Sequence, residues 1–230
     1  SIINFQYDND GLLTNAGNLT INRNSQNGLI TGTTLGNVTD SKSYNSFGEV
    51  SRYSASYNST GIYSSSFVYD KLGRMTEKAE TVSGEAHTYN YDYDLLGQLK
   101  EVKKDGTVTS TYNYDSNGNR LSLVTESGTT TGSYDDQDRL LSYGNNTYTY
   151  TKNGELLTKA NTTISETTLY VYDVLGNLKS VTLPNGTQIE YVIDGQNRHI
   201  GKKVNGTLTQ GFLYLNSLKP IAALDGSNNV

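Results

Sequence analysis

Apolar and polar residues alternate over short stretches of this chain, which is the pattern of half-exposed β-strands. Pairs of tyrosines stand two residues apart, as in Tyr91 and Tyr93 or Tyr170 and Tyr172, and therefore share one strand face. In the stretch from residue 107 to residue 114, alternation places Val108, Tyr112 and Tyr114 on one face and Thr107, Thr109, Thr111 and Asn113 on the other. The pattern predicts strands with one face lined by tyrosine and the other by polar side chains.

The strand-like stretches are separated by a recurring motif. Clear copies are Tyr7-Asp8-Asn9-Asp10-Gly11, Tyr69-Asp70-Lys71-Leu72-Gly73, Tyr93-Asp94-Leu95-Leu96-Gly97, Tyr114-Asp115-Ser116-Asn117-Gly118 and Tyr172-Asp173-Val174-Leu175-Gly176. Tyr134-Asp135 lacks the glycine, and weaker copies keep Tyr and Gly but lose Asp: Tyr44 to Gly48, Tyr150 to Gly154 and Tyr191 to Gly195. A worn copy runs from Asn24 to Gly28. Repeats at such short periods indicate a stacked array of small units.

Each residue of the motif suits a hairpin loop. Asp binds the backbone two residues further on, the next positions form a type I turn, and Gly supplies the positive φ that closes the loop with a bulge. The Tyr before the loop and the Leu or Met after it are expected to pair across the two strands. The sequence therefore predicts a β-hairpin at every copy.

A second set of turn signals lies between the copies. These are Asp105-Gly106, Ser127-Gly128, Asn145-Asn146, Asn185-Gly186 and Asn205-Gly206, most of which are strong two-residue hairpin signals. One repeat is thus strand, tight turn, strand and Tyr-Asp loop. Because an isolated hairpin is marginal in water, each must be stabilised by its neighbours.

Composition supports an all-β chain and limits its chemistry. The 230 residues include 19 Tyr and 23 Gly but only 7 Ala and one Met, and the pool is poor in helix formers. No run of apolar residues is long enough for a membrane helix. The net charge of −5, without long runs of one sign, argues against nucleic acid as a partner. The absence of Cys excludes disulfides and thiol catalysis.

The Tyr-Asp-x-x-Gly-Arg/Asn-Leu motif at roughly twenty-residue spacing resembles the YD, or Rhs, repeat. That family includes bacterial Rhs and wall-associated polymorphic toxins, the B and C subunits of insecticidal ABC toxins and, more distantly, the animal teneurins. The resemblance implies an antiparallel hairpin meander within a spiralling β-shell that encloses or presents a C-terminal effector polypeptide. It also implies secretion or a cell-surface location, and the lack of Cys and Trp favours a bacterial toxin over teneurin-like adhesion.

The resemblance covers the whole chain as one array, a fragment of a longer protein. Residues 1–66 contain degenerate repeats, and residues 67–211 contain regular ones. Residues 212–230 resemble the start of a junction toward the Rhs-associated core. The expected partners are other repeats of the parent chain and the enclosed polypeptide.

Other functions have weaker support. His87 and His199 are too few to nominate a catalytic site, and no cofactor is expected. Asp8-Asn9-Asp10-Gly11 and Asp135-Asp136-Gln137-Asp138 look like the start of a calcium loop but lack its closing glutamate, so we expect no metal.

The main alternative is a carbohydrate- or receptor-binding surface module, because exposed tyrosines can stack on sugar rings. Tyr53, Tyr57 and Tyr63 lie outside the fixed Tyr positions of the repeat and are the candidate residues. Seven Asn-x-Ser/Thr sequons occur, a number close to that expected by chance from 25 Asn and 52 Ser and Thr. They carry no argument by themselves.

Overall fold

The computed structural model describes residues 3–230, and this part of the chain contains 22 β-strands and no helix. Every described strand pair is antiparallel and joins strands that follow one another in sequence. The all-β hairpin meander predicted from the sequence is therefore confirmed. The strands form two compact units: residues up to Asn113 with Leu123–Thr129, and Tyr114–Ser122 with Thr130–Val230.

The first unit holds the first eleven strands. They are β1 (Phe5–Tyr7), β2 (Leu13–Ala16), β3 (Leu19–Arg23), β4 (Ile30–Leu35), β5 (Val38–Tyr44), β6 (Val50–Tyr57), β7 (Thr60–Tyr69), β8 (Met75–Val82), β9 (Glu85–Tyr93), β10 (Leu99–Lys104) and β11 (Thr107–Tyr114). The degenerate repeats before residue 67 form the same hairpins as the regular ones. Their Ser/Tyr-rich strands β6 and β7, of 8 and 10 residues, are among the longest in the chain.

β12 (Arg120–Thr125) contributes residues to both units, and Tyr114 at the end of β11 belongs to the second. The second unit also holds the last ten strands, apart from residues 128 and 129. They are β13 (Gly128–Tyr134), β14 (Leu140–Tyr143), β15 (Asn146–Tyr150), β16 (Leu156–Asn161), β17 (Glu166–Tyr172), β18 (Leu178–Thr182), β19 (Gln188–Ile193), β20 (His199–Val204), β21 (Thr207–Tyr214) and β22 (Pro220–Asp225). The hairpin pattern thus continues into the stretch after residue 212, whose identity as a junction remains a prediction.

The Tyr-Asp motif forms the predicted hairpin loop. We number its residues 1 to 7, so that Tyr69 is position 1, Asp70 position 2, Gly73 position 5 and Met75 position 7. The Asp70 N–H donates to the Arg74 carbonyl, and the Gly73 N–H donates to the Asp70 carbonyl (2.9 and 3.1 Å). Positions 1 and 7 pair across the strands, and the register then shifts by one residue. The same pair and bulge recur at Tyr7/Leu13, Tyr44/Val50, Tyr93/Leu99, Tyr134/Leu140, Tyr150/Leu156 and Tyr172/Leu178.

Position 5 requires a left-handed backbone, but not always glycine. Gly73 has φ +76°, as the motif predicts. In the copy that lacks glycine, Asp138 takes its place with φ +60°. The predicted copy from Tyr191 to Gly195 is wrong by two residues: the loop begins at Ile193, and Asn197 adopts φ +67°. Asn and Asp tolerate this conformation because their short polar side chains bond locally.

The tight turns are partly as predicted. Asp105-Gly106 and Asn205-Gly206 form two-residue turns with positive φ at both positions. The predicted turns at Ser127-Gly128 and Asn145-Asn146 are displaced by one residue, to Glu126-Ser127 and Gly144-Asn145.

The predicted two-residue turn at Asn185-Gly186 is wrong. This connection is a longer loop in which the Leu183 N–H donates to the Thr187 carbonyl, as in a Tyr-Asp loop. Pro184 explains the difference, since its fixed φ favours the second position of a type I turn.

The predicted alternation in β11 is also partly wrong. A register shift leaves Thr109 unpaired with β10, so that Val108 pairs with Lys103 and Ser110 with Val102. Val108 therefore leaves the face that carries Tyr112 and is 47% exposed. A bulge reverses the faces that strict alternation assigns beyond it.

Little of the chain is buried. Among the described residues, Val181 is the one hydrophobic side chain that is buried. The accessible surface is 15306 Å², whereas a globular monomer of this mass exposes about 10,000 Å². Each strand contacts mainly the strands before and after it. The tyrosine-lined faces form no thick core, and stability comes from neighbouring hairpins.

Candidate functional site

The position 1 tyrosines connect successive hairpins. The Tyr93 hydroxyl donates to the Met75 carbonyl at 2.7 Å, and Met75 is position 7 of the preceding copy. Equivalent hydrogen bonds are Tyr44 to Ile30 (2.6 Å), Tyr69 to Val50 (2.8 Å), Tyr134 to Arg120 (3.2 Å), Tyr150 to Leu140 (2.8 Å) and Tyr214 to His199 (3.0 Å). We call these contacts the tyrosine ties. Each tie fastens one repeat to the start of a strand in the repeat before it.

The ties are formed at partly buried rings. Burial raises the pKa of Tyr69, Tyr93 and Tyr150 above the usual value of 10.0. Tyr7, which has no preceding hairpin in the described chain, is 60% exposed. Tyrosine burial in this array therefore depends on the neighbouring repeat.

Arginine at position 6 adds a second connection between repeats. The Arg74 guanidinium bonds the Asp70 carboxylate in its own loop (2.7 Å) and lies 4.6 Å from the Tyr93 ring centre in the next repeat. Arg139 and Arg198 have the same arrangement, at 5.1 Å from the rings of Tyr150 and Tyr214. A cation over an aromatic ring is attractive. The position 6 arginine thus contacts both the Asp of its own loop and the Tyr ring of the next repeat.

Positions 2 and 6 are chemically matched. In several loops with Asp at position 2, position 6 is a donor such as Arg139 or Asn177, and its side chain bonds the Asp carboxylate. The first copy is an exception, because Leu12 follows Asp8 at position 6 and only its backbone N–H donates to the carboxylate. Where position 2 is Asn45, position 6 is Glu49, and the Asn45 amide donates to it at 2.6 Å. Thr151 likewise donates its hydroxyl to Glu155. These loops therefore combine one side-chain donor and one side-chain acceptor, in either order.

The loop carboxylates are stabilised in their charged form. A hydrogen bond from Arg139 lowers the pKa of Asp135, and one from Arg198 lowers the pKa of Asp194. Asp135 Oδ1 also accepts the N–H groups of Gln137 and Arg139. The residues that suggested a calcium loop are therefore engaged in turn hydrogen bonds. Among the residues from 3 onward, no three His, Cys, Asp or Glu side chains converge on a possible metal site.

The three candidate sugar-stacking tyrosines have different surroundings. Tyr53 and Tyr63 lie side by side with ring centres 5.8 Å apart, and the Lys42 ammonium lies 5.8 Å from the Tyr53 ring. The Tyr63 hydroxyl donates to Glu80 at 3.2 Å. Tyr57 is 51% exposed. Sugar binding at these residues remains a prediction, with Tyr57 the most accessible ring of the three.

The two histidines pack against neighbours in the sheet. His87 lies between two carboxylates, with Nδ1 2.7 Å from Asp105 and Nε2 3.1 Å from Glu85, and the Asp105 bond raises its pKa. The His199 ring lies edge-on to Tyr191 at 5.4 Å. Both histidines therefore have ion-pair or ring-packing partners within the sheet.

The sequence motif identifies the position 1 tyrosines but not their hydrogen bond to the preceding repeat. Tyr pairs with position 7 of its own loop, as the motif predicts, and its hydroxyl also reaches position 7 of the preceding copy. The signal was the use of Tyr rather than Phe at a fixed position, since only Tyr carries a hydroxyl.

Known proteins share both the sequence pattern and the fold. The family model described as Teneurin YD-shell matches residues 1–223. Mouse Teneurin-4 is 27% identical over 188 residues, or 80% of this chain and 7% of its own length. The tRNA nuclease WapA of Bacillus subtilis is 33% identical over 145 residues, or 60% of this chain and 6% of its own. The chain thus spans under a tenth of these relatives.

Solved structures support the fold alone, because their sequence identity is low. TcdB2-TccC3 without its hypervariable C-terminal region superimposes with a TM-score of 0.62 at 14% identity, covering 97% of this chain and 14% of that one. The Tc holotoxin pore of Photorhabdus luminescens gives 0.56 at 13% identity, covering 99% and 16%. The strand array of this chain is therefore a known architecture.

Proposed function

Because the chain belongs to the teneurin YD-shell family, we propose that it is a wall segment of a hollow β-shell that encloses or presents a C-terminal toxin or effector polypeptide. The parent is an Rhs-type protein that is secreted or displayed at the cell surface. The segment has a structural role and contributes no catalysis of its own. Its partners are further repeats of the parent chain and the enclosed polypeptide.

The observation that carries the proposal is the dependence of each hairpin on its neighbours. The tyrosine ties and the Arg–Tyr contacts run from one repeat to the next, as between Tyr93 and Met75. A surface of 15306 Å² with one buried hydrophobic residue among those described suits a wall better than a compact catalytic domain.

The relatives support enclosure by analogy. One solved TcdB2-TccC3 structure is described as lacking a hypervariable C-terminal region, and WapA is named as a tRNA nuclease. In both cases a protein with an array similar to this one has a further region or a nuclease activity. We infer the same arrangement for the parent of this chain, with the identity of its cargo left open.

Limited proteolysis of the intact parent chain tests enclosure. We expect a discrete segment after Val230 to resist digestion until denaturant opens the repeats, with mass spectrometry identifying the protected peptides. The control is the same segment expressed alone, which should be digested readily.

Rapid digestion of everything after Val230 while the repeats survive would contradict enclosure. That result would favour the alternative, a glycan- or receptor-binding surface. Tyr57, 51% exposed, would then be the first of the candidate residues Tyr53, Tyr57 and Tyr63 to replace by Ala in a glycan-binding assay.

A further inference from the structure

His87 lies between the carboxylates of two successive tight turns. Glu85 follows the β8–β9 turn, and Asp105 begins the β10–β11 turn. The His87 Nε2 atom is 3.1 Å from Glu85 Oε1, and the Nδ1 atom is 2.7 Å from Asp105 Oδ2. Because β8 to β11 pair in chain order, both turns lie at the same end of these strands. One imidazole ring therefore connects two neighbouring hairpins.

The two contacts together require the charged form of the ring. A neutral imidazole carries one N–H, and its other nitrogen has a lone pair that a carboxylate oxygen repels. An imidazolium donates from both nitrogens and therefore bonds both Glu85 and Asp105. The bond to Asp105 also raises the pKa of His87 above its usual value of 6.5.

Two further charged elements face the ring. In the neighbouring strand β8, Glu80 pairs directly with His87, but its carboxylate forms an ion pair with the Lys78 ammonium. The Lys104 ammonium, at the end of β10, repels the charged ring without cancelling the effect of the Asp105 bond. The two turn carboxylates therefore dominate the protonation of the histidine.

The turn itself requires neither charge. Asp105 Oδ1 accepts the Thr88 N–H at 2.7 Å, and the Asp105 N–H donates to the Thr88 carbonyl at 2.7 Å. In the second unit, Asn205 makes the same two bonds with Gln188, at 2.9 and 2.8 Å. A turn of this kind is thus held to the preceding hairpin without an ionised side chain. The contact of His87 is an addition whose strength depends on pH.

We propose that His87 is a pH-sensitive clamp that holds two successive hairpins together through Glu85 and Asp105 when its ring is charged. Loss of the proton leaves one N–H, which bonds one carboxylate and releases the other. The clamp is complete below pH 6.5, and its stabilising effect is lost as the pH rises through the higher pKa of His87 in the folded chain. Side-chain carboxylates titrate at about pH 4, so the histidine is the group of the clamp that changes charge near neutral pH. The clamp is independent of whether the array encloses a polypeptide.

An NMR titration of the 230-residue chain tests the charge of the ring. His87 and His199 are the two histidines, so the variant His199→Gln assigns their imidazole signals. We expect the His87 midpoint to lie above 6.5 and to fall in Asp105→Asn, which retains the turn as Asn205 does. The His199 signal should not respond to Asp105→Asn, because its ring packs on Tyr191 in the second unit.

Thermal melting at pH 6 and at pH 8 tests the effect of the clamp on stability. The melting temperature of the wild-type chain should be lower at pH 8. This fall should be smaller in His87→Thr, a residue that the chain already uses as Thr187 before Gln188. The matched control His199→Gln should retain the fall that His87 contributes.

A His87 midpoint at or below 6.5, or one that is unchanged in Asp105→Asn, would overturn the proposal. So would a fall in melting temperature that is equal in the wild-type chain and in His87→Thr.

Discussion

Removing a single tyrosine hydroxyl measures how much one tie between repeats contributes to the free energy of unfolding. In Tyr93→Phe the ring is retained, and with it the contact to the Arg74 guanidinium 4.6 Å away. The substitution removes one hydrogen bond, the 2.7 Å bond to the Met75 carbonyl. A net contribution of about 1 kcal/mol is typical of such a bond, with a range of roughly 0.5–1.5. We expect the free energy of unfolding to fall by this amount.

Urea titration followed by circular dichroism supplies the measurement. Tyr57→Phe is the control, because the Tyr57 ring is 51% exposed and should change stability little. Tyr69→Phe, which loses the hydrogen bond to the Val50 carbonyl, should lower the free energy of unfolding by a similar amount to Tyr93→Phe. If Tyr93→Phe and Tyr69→Phe lower the free energy of unfolding no more than Tyr57→Phe does, the ties do not stabilise the array.

Three further predictions concern the loops and the sheet interior. Gly154→Ala should lower the free energy of unfolding, measured by urea titration, by about 1–2 kcal/mol, because Gly154 has φ +99° and no atom blocks an added Cβ. Gly61→Ala is the control: Gly61 lies in a strand at ordinary φ, so this change should be neutral or stabilising. Ser65→Ala should not reduce the melting temperature, since the Ser65 hydroxyl is buried without a hydrogen-bond partner; a clear loss would reveal a partner. The loops should weaken in acid: the folded pKa values of Asp135 and Asp194 lie below 3.8, so their stabilisation is present above that pH and is lost as pH falls through the folded values. When the pH is lowered from neutral, the melting temperature should therefore begin to fall at about pH 4. This fall should be smaller in the double variant Asp135→Asn/Asp194→Asn.

The repeat could be found from sequence because its turn chemistry is local. Tyr69-Asp70 and Gly73 specify a loop by themselves, and the loop forms as expected. The copy at Ile193 is misplaced from sequence because Tyr191 and Gly195 have the Tyr-to-Gly spacing of the motif, whereas Asn197 supplies the left-handed residue. A glycine pattern does not detect loops in which Asn or Asp replaces Gly at position 5.

Features that depend on two repeats at once were harder to predict. The tie from Tyr93 to Met75 joins residues 18 apart through a backbone carbonyl, which any residue carries. The bulge at Thr109, which moves Val108 to the other face, arises from the register of β10 against β11. The tie is signalled only by its donor, the Tyr hydroxyl, and the bulge leaves no signal in the residue types, because the acceptor and the bulge are both set by how adjacent hairpins align.

We infer that each repeat is stabilised by the one before it and not by a shared core. Native-state hydrogen exchange on Tyr93→Phe tests this directly. We expect faster amide exchange in β7 to β10, which flank the lost tie, and unchanged exchange in β15 to β22. A uniform increase across the whole chain would contradict it, because that would show a single cooperative core.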